Sequence, residues 1–259
     1  LRNNVRVVGT GKTTLVLAHG FGTDQRAWHH QEAALTGQHR LILFDHVGAG
    51  SSDVSAYSPH RYRSLHSYAD DLLEILAELD VENVLYIGHS MSGMIGLLAA
   101  LLCPARFSRM IFINASPRYL NDGDYHGGFE QREIDEMIAA MVGNYQLWAS
   151  GFAGLMAGNP ERPELVQSFT ATLAATRPDI AVAVMRLLFQ SDHRAELSRL
   201  EIPTLILQSS HDIAVPRQVG EYLTQKIPNA TLRMLDARGH LPHMSVPDAV
   251  LDAISSFLF

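Results

Sequence analysis

Tyr86-Ile87-Gly88-His89-Ser90-Met91-Ser92-Gly93 decides how this chain folds. The apolar run Val84–Ile87 leads straight into a turn of small residues. A second apolar run, Met94 to Cys103, comes next and stops at Pro104. Strand, tight turn and helix in that order are the context of a nucleophile elbow, where a sharp turn pushes a serine Oγ out at the top edge of a sheet. The neighbours of such a serine must be small so that strand and helix can approach. Gly88 meets this on one side. On the other, Ser92 stands where the usual pattern has Gly, and Gly93 comes after it. The competing reading is an ordinary serine capping a helix.

Working outward, three further segments join the elbow. His19-Gly20-Phe21-Gly22 succeeds the apolar run Leu15–Ala18, the position from which an α/β-hydrolase presents its second oxyanion donor. The backbone N–H groups of Phe21 and Met91 would then converge on a developing oxyanion. Asp212 lies just past the strand candidate Thr204–Gln208, and His240 lies past the candidate Thr231–Leu235. The chain order Ser90, Asp212, His240 is the order this fold uses for nucleophile, acid and base. Asp45 and Asp192 are alternative acids, but neither comes after the expected strand. His240 and His243, three apart among 13 His, lack a third ligand at matching spacing, so we expect no metal.

Elsewhere short β-branched runs alternate with helical patterns, the signature of an α/β fold with a mostly parallel sheet flanked by helices. The remaining strand candidates are Val5–Val8, Thr14–Ala18, Arg40–Phe44 and Met110–Ile113. Helices are expected near Trp28–Leu35, Leu65–Leu79, Met91–Leu102, Gln218–Lys226 and Asp248–Phe257. Between Ile113 and Thr204 lie roughly ninety residues, where a crossover needs only about a dozen or more. Ile134, Met137, Ile138, Met141 and Val142 make one amphipathic helix there. Pro160, Pro163 and Pro178 divide the remainder of the stretch into about three more short helices. We expect a helical lid inserted before the penultimate strand, covering residues 116–195, on a core of residues 1–115 and 196–259.

Composition narrows the function. Of 259 residues 47% are hydrophobic and 18% charged, with a formal charge of −7. No basic cluster suits nucleic acid. The Met94 to Cys103 run is half of what a membrane span needs. One cysteine, Cys103, can form neither an internal disulfide nor a Cys-rich zinc site. From Leu1 the chain shows Arg2 and polar residues rather than an apolar signal core, and we expect a soluble, cytoplasmic protein. Lys12 and Lys226 are the only lysines, a composition that points to a GC-rich bacterial genome. Gly9-Thr10-Gly11-Lys12-Thr13 lacks the first Gly of a phosphate loop, Arg6 standing there, and is expected to be a hairpin turn.

Taken together, these segments resemble α/β-hydrolases of the RsbQ type, bacterial stress-signalling hydrolases related to plant strigolactone and karrikin receptors. The likeness runs through His19-Gly20-Phe21-Gly22-Thr23-Asp24-Gln25 and Gly88 to Gly96. It continues through Ser116 to Asp122, Gly127-Gly128-Phe129-Glu130, Arg177 to Ile180 and Phe189 to Asp192, and ends in Ala237 to Ser245. Gly93 stands where the plant receptors usually carry Ala. The resemblance implies four lid helices in a V over an apolar pocket lined by Phe21, His89, Tyr119, Phe129, Trp148, Phe152 and Phe189. From the residues we expect a serine hydrolase of small apolar esters or lactones that needs no cofactor, and the resemblance implies a signalling phosphatase as a possible partner. Slow or single turnover by a ligand sensor is the alternative the resemblance leaves open.

Overall fold

The computed structural model describes residues 2–258. Its first half runs β1 (Arg6–Val8), β2 (Thr14–Ala18), α1 (His29–Leu35), β3 (Arg40–Phe44), α2 (Leu65–Glu78), β4 (Val84–His89), α3 (Met91–Leu102) and β5 (Phe107–Ile113). Four helices come next: α4 (Gln131–Gly143), α5 (Tyr145–Ala157), α6 (Pro163–Ala175) and α7 (Pro178–Gln190). The chain closes with β6 (Thr204–His211), α8 (Arg217–Lys226), β7 (Ala230–Arg238), α9 (Pro242–Ser245) and α10 (Pro247–Leu258). Every strand expected from the sequence is present, with β4, β5, β6 and β7 each longer than their apolar runs.

The seven strands form one sheet in the order β1-β3-β2-β4-β5-β6-β7. Only β1 is antiparallel, to β3; all other neighbours are parallel. The hairpin expected at Gly9 to Thr13 is therefore wrong, because β3 lies between β1 and β2. The glycines serve a close approach instead. A Cβ on Gly9 would lie 2.1 Å from His39 O, and one on Gly11 2.0 Å from Gln38 O, so this segment wraps the turn before β3.

Two-residue periodicity divides the core between the faces of the sheet. Leu15, Leu17, Leu41, Leu43, Leu85 and Ile87 pack on one side with Trp28 and Ile254. Val16, Ile42, Phe44 and Tyr86 pack on the other with α2, α3 and the four-helix insert. Strands buried on both faces read as continuous apolar runs, which is why β3 and β4 are visible in the sequence. Helix α3 is buried from Met91 to Ala100, so it lacks the polar face of a surface helix.

The insert is built from local signals. Glu130 and Glu133 form a capping box at α4, and the Asn144 side chain accepts from Leu147 N–H at the start of α5. Pro163 and Pro178 occupy first turns, where the missing N–H costs nothing. Gly158 closes α5 in the left-handed region at φ 63°. No helix among the described residues is long and apolar enough to cross a membrane.

Gly93 is set by space. A Cβ there would lie 2.4 Å from Ala115 Cβ, at the end of β5. Gly93→Ala should cost about 1–3 kcal/mol by overpacking. Ala115→Gly in the same chain should recover most of that loss, and urea unfolding of the single and double variants will measure the coupling.

Candidate active site

Parallel strands deliver their C-terminal ends, and the loops attached to them, to one edge of the sheet. Ser90 stands there after β4 with φ 56° and ψ −122°, a positive φ rare outside glycine. Its N–H donates to Ile113 O at 2.9 Å, and its carbonyl accepts from Gly93 N–H at 2.9 Å. Small neighbours permit the bend, since a Cβ on Gly88 would lie 2.5 Å from Ser92 O.

β6 and β7 bring the partners. His240 Nε2 lies 2.8 Å from Ser90 Oγ, and His240 Nδ1 lies 2.7 Å from Asp212 Oδ2. An ionised carboxylate only accepts, so Nδ1 carries the proton and Nε2 is left to accept from the Ser90 hydroxyl. Asp212 Oδ1 accepts from Ala214 N–H at 2.8 Å, which fixes the carboxylate, and the Asp212 side chain is fully buried. The alternative acids are committed elsewhere. Asp45 accepts from Gln25 and Ser51 N–H, and Asp192 pairs with Arg118 and Arg194.

The loop after β2 reaches the serine through a glycine. A Cβ on Gly20 would lie 2.5 Å from His89 Nδ1 and 3.0 Å from Ser90 Cβ, so only a residue without a side chain fits. This sets Phe21 beside the elbow. Met91 begins α3, where a helical N–H has no intrahelical partner. His19 holds the loop: its Nδ1–H donates to Gly20 O at 2.8 Å, and its Nε2 accepts from His46 N–H at 3.0 Å.

Sequence reasoning treats Ser92 as merely small and passes over His46. The Ser92 hydroxyl donates to His19 O at 2.5 Å and accepts from His46 Nε2–H at 2.7 Å. The departure from Gly thus ties the elbow helix to the loop carrying Phe21. Asn114, φ 46° and fully buried, is missed too. Its side chain accepts from Ser209 N–H and donates to Ser209 Oγ, fastening β5 to β6. A polar residue close after a buried strand is the available signal in both cases.

Above Ser90 and His240 lies an apolar cavity. Phe21, Tyr119, Phe129, Phe152 and Phe189 line it, joined by Met156, Phe169, Met185, Leu188 and Ala214 from the insert and the β6 loop. The Tyr119 hydroxyl is 3.5 Å from Ser90 Oγ, and burial holds this phenol well above its ordinary pKa. Two expected lining residues are placed differently. Trp148 lies one layer back, stacked on Phe152 at 4.8 Å. His89 turns away from the cavity, and its Nε2–H donates to His240 O at 2.7 Å, steadying the loop that carries the histidine.

The insert touches that same loop. His240 N–H donates to Met156 O at 2.7 Å, near the end of α5. Asn159 donates to Arg238 O at 2.9 Å. Backbones cross so closely that a Cβ on Gly239 would lie 2.1 Å from Ala157 O.

The sequence pattern of the alpha/beta hydrolase fold matches residues 13–247, and the chain belongs to that family. It is a hydrolase with named relatives along nearly its whole length. It is 43% identical over 253 residues to the karrikin insensitive 2 receptor CA of Petunia hybrida, covering 97% of this chain and 94% of that one. It is 46% identical to a strigolactone esterase of Arabidopsis thaliana, covering 94% and 91%. The solved structure of a hydrolase from Oleispira antarctica matches with a TM-score of 0.96 at 38% identity, covering 99% and 94%.

Behind the site lies a group of neutral imidazoles. Burial and neighbouring histidines push His89 well below its ordinary pKa, and the same causes bring His243 down to about 3. The His243 ring packs on Trp28 at 4.5 Å and His89 at 4.4 Å, and neither nitrogen has a partner among the described residues. An unfolded histidine binds a proton below about pH 6.5, whereas folded His243 does not until near 3. Its contribution to stability is therefore complete above 6.5 and shrinks as pH falls, by up to about 1.4 kcal/mol per pH unit. His243→Phe loses no hydrogen bond and should change stability little at pH 8. It should flatten the fall between pH 6.5 and 4 by one proton's share, read from urea midpoints across pH.

Proposed function

We propose that this chain hydrolyses small apolar esters or lactones by nucleophilic catalysis at Ser90. The observation that carries this reading is the unbroken chain Ser90 Oγ, His240, Asp212 opening into an apolar cavity. Ser90 Oγ attacks the carbonyl carbon while His240 Nε2 takes its proton. The oxyanion that forms is held by the N–H groups of Phe21 and Met91, each worth about 3 kcal/mol. Collapse breaks the bond to the leaving oxygen, which receives the proton from His240 as the alcohol. A lactone releases the same hydroxyl while keeping it attached. Water then attacks the acyl-enzyme, with His240 as base, and the acid leaves. Asp212 holds the imidazole tautomer and stabilises the imidazolium. No step calls for a cofactor.

Substrate class derives from the lining. Phe21, Tyr119, Phe129, Phe152 and Phe189 offer apolar surface, and no Lys or Arg lines the cavity among the described residues. A carboxylate would have no bidentate partner there. Neutral esters should turn over faster than free-acid analogues of the same size. Residues 116–195 act as the lid that keeps this cavity dry.

Ser90→Ala should abolish hydrolysis of an activated ester with the thermal unfolding midpoint nearly unchanged. Asp212→Asn should lower turnover by about 10⁴, because the wrong His240 tautomer is favoured. An active Ser90→Ala variant overturns the assignment.

A second reading, a ligand sensor of slow turnover, is favoured by the bond from His240 N–H to Met156 O, which joins triad and insert. Its partner would be a phosphatase, as the RsbQ resemblance implies. A covalent Ser90 adduct should then slow hydrogen exchange in α5 and leave β4 unchanged. Many rapid turnovers with no change in α5 exchange would leave only the esterase.

A further inference from the structure

A second cavity lies between the loops after β2 and β3 and the start of α7. Phe21 lines both cavities. The apolar surface of the second comes from Val47, Met91, Ile180 and Val184. Gly48 makes room: a Cβ there would lie 2.7 Å from Ile180 Cγ2.

Its polar equipment is specific. His46 and Tyr68 both line the cavity and are nearly fully buried. His46 Nε2 faces His19 O at 3.1 Å and Ser92 Oγ at 2.7 Å, and the Ser92 proton is already given to His19 O. His46 Nε2 must therefore be the protonated nitrogen, which leaves Nδ1 as a bare acceptor. That atom has no partner among the described residues, and neither has the Tyr68 hydroxyl. Buried groups of this kind are rare unless something meets them. His19, by contrast, has both ring nitrogens satisfied within the loops.

We propose that this cavity binds a compact uncharged alcohol or phenol, separately from the Ser90 cavity. The ligand hydroxyl donates to His46 Nδ1, its oxygen accepts from Tyr68 O–H, and its apolar body packs on Met91, Ile180 and Val184. A ligand with only an acceptor leaves His46 unmet, and a hydrocarbon leaves both groups unmet. A charged amine or carboxylate finds no counter-charge among the lining residues. The site does not depend on chemistry at Ser90.

Phenol is the probe, with toluene as the match lacking a hydroxyl. Crystals of the whole chain soaked in phenol should show the ring in this cavity with its oxygen in hydrogen-bond reach of His46 Nδ1. In calorimetric titration Tyr68→Phe should weaken phenol about fivefold to tenfold and leave toluene unchanged. Val184→Trp, which fills the cavity from α7, should remove both. If that variant fails to fold, the ratio of phenol to toluene affinity in Tyr68→Phe carries the test. Phenol found only beside Ser90 overturns the proposal. So does water alone in this cavity at saturating phenol, or an unchanged ratio in Tyr68→Phe.

Discussion

Ser90 is held in a backbone conformation that a serine does not choose. Its φ of 56° with ψ of −122° lies in a sparsely populated region, with a cost on the order of 1–3 kcal/mol that the surroundings must offset. Much of the neighbouring structure can be read as that offset. Ser90 N–H is taken by β5, Tyr86 O–H donates to Ser92 O at 2.7 Å, and α3 is buried from Met91 to Ala100. Gly88, Gly93 and Gly20 clear the space through which strand, helix and loop close in. Relaxing the bend would require moving β4, β5 and α3 together, and all three belong to the core.

The fold was legible because its signals were strong and local. Both-face burial writes continuous apolar runs, and parallel connection writes alternation of strand and helix. The one failure, at Gly9 to Thr13, came from reading two nearby glycines as a turn signal. Strand pairing is a non-local property, and nothing in that segment shows that β3 slots between its flanking strands. The three residues of the hydrogen-bonded chain were legible by position, each just past a strand. What stayed hidden were hydrogen bonds between residues far apart in sequence, such as Ser92 with His46, or Asn114 with Ser209. Trp148 shows the same limit from the apolar side: an aromatic spaced for the cavity stacks instead behind another aromatic.

Electrostatically the site is divided. In front of the serine the cavity is apolar, and behind it His19, His46, His89 and His243 are buried and kept neutral. A cluster of imidazolium charges there would oppose a cation forming on His240. Keeping them neutral removes that opposition, and Asp212 is left as the charged group hydrogen-bonded to the ring. His19, His46 and His89 serve as hydrogen-bonding spacers, each locked in one tautomer by a backbone carbonyl or amide.

The contact between the end of α5 and the loop carrying His240 bears on how this architecture can be recombined. Because Gly158 and Gly239 meet backbone to backbone, the helical insert and the histidine loop share an interface closed mainly by main-chain atoms, with the Asn159 amide reaching Arg238 O. A chimera that grafts another hydrolase's insert between β5 and β6 would strand the His240 amide and press foreign atoms on Gly239. The inheritable unit is discontinuous: residues 156–159 and 238–240, some eighty positions apart, travel as a single part.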